Sequence, residues 1–192
     1  MYLQIRFLNE MFQSAVDSCV PRVRTLFVAL TCGLAFSATA QPALQAVDRI
    51  KAAYVYNFAK FVEMPGVDDK SIRLCVLGKD DLNGAMLSLN RRMAQGREIL
   101  VRKDVPVDQV KDCAMAFVGD SDARLLPALV KQLGNAQVLL VSDARQAMDL
   151  GAHLSLILND DRVEFDVNLQ NLQKSNIKAS SQMLKLARIV VR

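Results

Sequence analysis

The chain has 192 residues, 52% hydrophobic and 23% charged, with a formal net charge of +4 and a single histidine. That balance excludes a disordered or low-complexity protein, and one imidazole excludes multi-histidine metal sites, leaving zinc ligation to the four cysteines alone.

Arg22 and Arg24 precede an uncharged run from Thr25 to Phe36, followed by Ser37-Ala38-Thr39-Ala40 and Gln41-Pro42. A basic start, a short apolar core and an Ala-x-Ala site predict a secretory signal peptide cleaved after Ala40. The run falls short of the roughly 20 residues that span a bilayer, an uncleaved anchor or a buried helix being the alternative. Residues 1–21 read as an extension ahead of the true start, at Met11 or nearby. The mature chain, 41–192, keeps 152 residues, 21 basic against 18 acidic, for a net charge of +3. It is expected not to insert stably in a membrane. Cys32 lacks a lipobox, so Cys75 and Cys113 are the cysteines that remain. An isolated pair in an exported protein reads as a disulfide, with two buried thiols as the alternative.

In chain order, Val47, Ile50, Tyr54, Phe58 and Phe61 recur at helical spacing between Leu44 and Met64, and Pro65-Gly66 ends that helix. Ile72 to Leu77 is a buried strand closed by Gly78. Asp80 or Asp81 then caps a helix bearing Leu82, Met86, Leu87 and Leu89. Glu98 to Val101 is a strand, as is Ala114 to Val118. Ser121-Asp122 opens a helix through Leu125, Leu129 and Leu133 that stops at Gly134-Asn135. Gln137 to Val141 is another strand, and Leu154 to Leu158 with Arg162 to Val167 form a hairpin turning at Asn159-Asp160-Asp161. Ser180 or Ser181 caps a last helix with Met183, Leu184, Ala187, Val190 and Val191 on one side. Lys185, Arg188 and Arg192 form a basic ridge on the other, either solvated or facing acidic lipid headgroups or an acidic partner.

No repeat or linker interrupts the mature chain, which reads as a single α/β domain. Short continuous apolar strands between helices predict a three-layer sandwich with a mainly parallel, doubly wound (Rossmann/flavodoxin-like) sheet, plus the C-terminal hairpin and helix. A Cys75 to Cys113 bridge would make the strands beside them neighbours, in a 2-1-3-4 order.

Ligands of such sheets bind beyond the carboxyl ends of the strands, which makes Lys79, Asp80, Asp120 and Asp143 the candidate ligand loops. The alternative is helix capping, since carboxylates there occupy the amides that an anion would use. Neither a G-x-G-x-x-G nor a P-loop is present, and no cofactor or metal site is expected. His153 begins a strand with no nucleophile-elbow serine or cysteine beside it, so no catalytic set is expected. A charge of +3 without basic-aromatic interleaving argues against nucleic acid. Four of the six mature aromatics, Tyr54, Tyr56, Phe58 and Phe61, crowd into eight residues. Tyr54, Phe58 and Phe61 share a face and are expected in the core. Val55, Tyr56 and Val62 widen the apolar surface into a candidate contact for a partner or second subunit, unless other helices cover it.

The segments KAAYVYNFAKFVEMP (51–65), LCVLG (74–78), VEFDVNL (163–169) and SSQMLKLARI (180–189), in this order and spacing, resemble the YfiR family of exported bacterial proteins. The resemblance implies regulation rather than catalysis: a periplasmic repressor that binds the periplasmic sensor region of an inner-membrane diguanylate cyclase, lowering cyclic-di-GMP and biofilm formation. It further implies a homodimer and a redox response through disulfides. Cys75 and Cys113 match the family's widely spaced pair, whereas Met148 and Ser155 stand near the place of a second, close pair, and Met64 replaces the Trp that commonly precedes the proline.

Overall fold

A computed structural model describes residues 41–64, 70–79 and 82–192, within the unit formed by residues 40–192. The expected signal peptide and its extension lie outside the described residues, as do Pro65, Asp80 and Asp81. The chain opens with helix α1 (Gln41–Phe61), which runs into β1 (Val62–Glu63). The main sheet takes β2 (Ser71–Leu77), β3 (Met93–Ala94), β4 (Arg97–Arg102), β5 (Met115–Val118), β6 (Leu139–Ser142), β7 (Leu154–Asn159), β8 (Arg162–Asn168) and β10 (Ile189–Val191). Their spatial order is β3-β4-β2-β5-β6-β7-β8-β10. The strands from β4 to β7 are mutually parallel, β8 returns antiparallel to β7, and β10 lies parallel to β8. The run β4-β2-β5-β6 is the 2-1-3-4 order inferred from the cysteines.

Burial on both faces explains why these strands are continuous apolar runs. Ile72, Leu74 and Val76 of β2 join Met115, Phe117, Leu139 and Val141 under α1, while Cys75, Leu77, Ala116, Val118 and Leu140 pack beneath α2 (Leu126–Leu133). A 3-10 helix at Asp120–Leu125 leads into α2, and Gly134, at φ +55°, ends it. The β7–β8 hairpin turns on Asp160 and Asp161, both at positive φ (42° and 64°), the requirement of a type I′ turn.

Four expectations change. The buried stripe of α1 is Ala52, Val55, Phe58 and Ala59, continued by Val62 of β1, so Ile50 and Phe61 face outward. After β2 there is only a 3-10 turn at Ala85–Leu89, because Leu82, Asn83 and Gly84 sit at φ +55°, +50° and +84°, where no right-handed helix can form. A short helix not anticipated, α3 (Leu169–Lys174), starts at Asn168, whose side chain accepts from the Asn171 N–H at 2.9 Å. The last helix, α4 (Ser181–Leu186), capped by Ser180, stops at Ala187, and the β-branched Ile189-Val190-Val191 pairs with β8 as β10. The basic ridge therefore does not exist as a helix face. Arg188 instead folds onto Asp166, bonding both its oxygens at 3.0 and 2.6 Å. Strands β1 and β9 (Lys178–Ala179) pair antiparallel and tie the end of α1 to the chain entering α4.

Candidate functional site

The strand-end loops meet, but they close on themselves. Gly78 needs a positive φ (77°), and a Cβ there would fall 2.3 Å from the Asp122 carboxyl carbon, so only glycine lets the loops approach. Asp122 Oδ2 accepts the Lys79 N–H at 2.8 Å. Asp143 Oδ1 accepts the Asp120 N–H at 2.8 Å, and its Oδ2 takes Lys51 Nζ at 2.5 Å. Asp120 in turn accepts from the Arg145 N–H at 3.4 Å, and the Ser142 hydroxyl from the Ala144 N–H at 3.1 Å. The amides that would cradle an anion are thus taken by the protein's own carboxylates. Of the four candidate ligand-loop residues, Lys79, Asp120 and Asp143 belong to this network, and Asp80 lies outside the described residues. Lys51 was missed, whereas Asp122 was expected to open the helix after β5. Nothing in the sequence singles out Lys51, one of two lysines on an aromatic-rich helix, because its partner is 92 positions away.

Cys75 and Cys113 are bridged, with Cα atoms 6.0 Å apart, joining β2 to the start of β5. Both are buried in the core beneath α2, beside Val105 and Val110.

His153 stands just before β7. Its Nδ1 accepts the Leu140 N–H at 2.9 Å, which puts the ring proton on Nε2, 3.2 Å from the Ser175 hydroxyl. A ring that already carries its proton on the serine side cannot deprotonate that serine, so the pair is not a nucleophile and base. Burial lowers the His153 pKa to about 4 and keeps the ring neutral.

The expected contact surface is displaced. Val55 and Val62 are fully buried and present nothing to a partner, because α1 turns its valines and small alanines onto the sheet. Tyr56 is half-buried, its hydroxyl donating to the Met93 carbonyl at 2.8 Å and its ring under Arg92. What faces outward is Phe61, 38% exposed, and Leu186 of α4, 78% exposed. They rim a cavity of about 270 Å³ lined also by Tyr54, Phe58, Phe165 and Met183. Its three aromatic rings pack with centroids 5.2–6.2 Å apart, a rigid apolar floor. Among the described residues no His, Cys, Asp and Glu cluster could hold a metal, and no helix is long and apolar enough to cross a membrane.

The sheet and its loops define a doubly wound α/β domain in which, among the described residues, the strand-end amides are taken by the protein's own side chains and an apolar cavity opens between α1 and α4. The family model described as YfiR/HmsC-like (DUF4154) matches residues 48–188, and the chain belongs to that family. Two solved structures are similar to the chain at low identity. One is a conserved domain protein from Vibrio cholerae O1 biovar El Tor, 13% identical with a TM-score of 0.48. The other is an ABC domain from Streptococcus pneumonia solved with L-Trp, 15% identical with a TM-score of 0.50. Each alignment covers 78% of this chain, which spans 60% of the length of either neighbour.

Proposed function

We propose that the protein is a periplasmic regulator, exported by a cleaved signal peptide, that restrains an inner-membrane diguanylate cyclase by binding its periplasmic sensor region as a homodimer. Cyclic-di-GMP production and biofilm formation are the outputs it lowers. Membership of the YfiR/HmsC-like family supports regulation over catalysis. The observation that carries the reading is the cavity between Phe61 and Leu186: an aromatic floor with a protruding apolar rim. Its place on α1 and α4 lets a partner be gripped without disturbing the sheet. The Cys75–Cys113 bridge acts in this reading as an internal clamp that makes function depend on an oxidising compartment.

Deleting the gene and measuring cellular cyclic-di-GMP tests the reading. A rise, reversed by the intact gene and not by Leu186→Asp, is the expected outcome. Unchanged nucleotide levels would remove the cyclase from the account.

A further inference from the structure

Helix α1 ends against the β3–β4 turn. The Gln95 side-chain amide donates to the carbonyls of Ala59, Lys60 and Val62 at 3.0, 3.3 and 2.9 Å. A helix carboxyl end carries partial negative charge and draws cations, and here three gather. Lys60 lies on the last turn, with Nζ 5.7 Å from the Tyr56 ring centroid, and the Arg92 guanidinium stacks 3.9 Å over that ring. Arg97 reaches Gln95 Oε1 at 3.3 Å. Among the described residues none of the three has a carboxylate in ion-pair reach.

The β3–β4 segment is itself basic. Residues 91–103 carry five basic side chains and a single acidic one, Glu98. Arg97 shares the α1 side of β4 with buried Ile99, so strand alternation puts Glu98 on the opposite face. Lys60 alone of the three lines the apolar cavity, its Nζ 5.6 Å from the Phe61 ring centroid, and so links the cationic cluster to it.

We infer that Lys60, Arg92 and Arg97 bind the carboxylates of an acidic segment of a partner protein, one of whose apolar side chains enters the Tyr54–Phe61–Leu186 cavity. The inference rests on the reading of the protein as a regulator that acts by contact. Cations held in place by ring stacking and a side-chain amide, beside a concave apolar cavity, suit a segment with spaced carboxylates. A lipid surface is flat and has no use for the cavity. Electrostatic contacts of this kind set specificity and association rate.

The test uses the mature chain and a fluorescein-labelled peptide alternating Glu and Leu around one Phe, followed by fluorescence anisotropy. Saturable binding that weakens with salt, and at least about tenfold in Lys60→Glu/Arg92→Glu, is the expected result, with Arg49→Glu binding as the wild type does. Lys60→Glu alone, on an exposed helix position, gives a smaller loss in the same direction without threatening the fold, which far-UV circular dichroism checks. Undiminished peptide binding by the double variant overturns the inference, as does binding to phosphatidylglycerol vesicles with none to the peptide. In cells the two readings separate. If deletion raises cyclic-di-GMP and the double variant restores it fully to the wild-type level, the regulator stands and this docking rim falls. If deletion has no effect, the regulatory reading falls while the peptide assay still decides the rim.

Discussion

Lys51 and Asp143 form an ion pair, Nζ to Oδ2 at 2.5 Å, that ties the first helix to the carboxyl end of β6. Only 16% of the lysine side chain and 3% of the aspartate side chain meet solvent. The second Asp143 oxygen accepts the Asp120 N–H, so one carboxylate joins α1, β6 and the loop after β5. Lys51→Met removes this cation from a buried carboxylate and is expected to cost about 3 kcal/mol. Urea unfolding measures this, and Lys51→Met/Asp143→Leu is expected to recover part of the loss. A single variant as stable as the wild type would show that the pair contributes nothing.

The Cys75–Cys113 bridge closes a loop of 39 residues, for which loop-closure entropy suggests up to about 4 kcal/mol of stabilisation. Cys75→Ser and Cys113→Ser are each expected to lower the unfolding midpoint in non-reducing buffer and to make it insensitive to dithiothreitol. The mature protein without reductant should titrate no thiols under denaturing conditions. Two free thiols would refute the bridge.

His153 makes stability depend on pH. Its folded pKa, about 4, lies below the ordinary 6.5, so between these values the unfolded chain binds the proton that the folded ring refuses. Stability is therefore full above about pH 6.5 and falls as pH drops toward 4, by up to about 3 kcal/mol from this group. The proton would displace the Leu140 N–H from Nδ1, which is the structural form of the same penalty. Denaturant titrations at pH 7.5 and pH 4.5 should show the fall, and His153→Gln should flatten it. An equal slope in the variant would assign the acid sensitivity elsewhere.

Gly78→Ala and Gly96→Ala separate two costs. Both positions have positive φ, 77° and 75°, but a Cβ at Gly78 collides with Asp122 whereas Gly96 faces open space. Gly96→Ala should lose about 1 kcal/mol for the left-handed backbone alone. Gly78→Ala should lose clearly more, because the loops that share Asp122 must part. Thermal unfolding of the two variants compares them, and equal losses would show that the close approach is not tight.

Where both faces of a strand are buried, the amino-acid string carries the answer. Ile72 to Leu77 and Ala114 to Val118 read as parallel strands because no alternation is needed when each side is covered. The hairpin at Asp160-Asp161 was legible for a local reason, the tolerance of aspartate for positive φ. Helix α1 was not, since it carries two overlapping stripes that share Phe58. One holds Tyr54 and Phe61, the other Val55 and Val62, and the small Ala52 and Ala59 let the second approach the sheet closely. The tail misled in a similar way. Met183, Leu184, Ala187, Val190 and Val191 fit a helical period, yet the open edge of β8 offered hydrogen bonds that a β-branched run takes more readily.

By itself, then, the sequence determined the alternation of strands and helices, the 2-1-3-4 core order through its cysteine pair, and a family resemblance, because local periodicity and turn chemistry need no distant partner. Only the tertiary structure decided which side of α1 faces out, that Lys51 meets Asp143, and that Lys60, Arg92 and Arg97 gather at the carboxyl end of α1. Those relationships join residues tens of positions apart, and their energies arise only once packing has brought the charges and rings together.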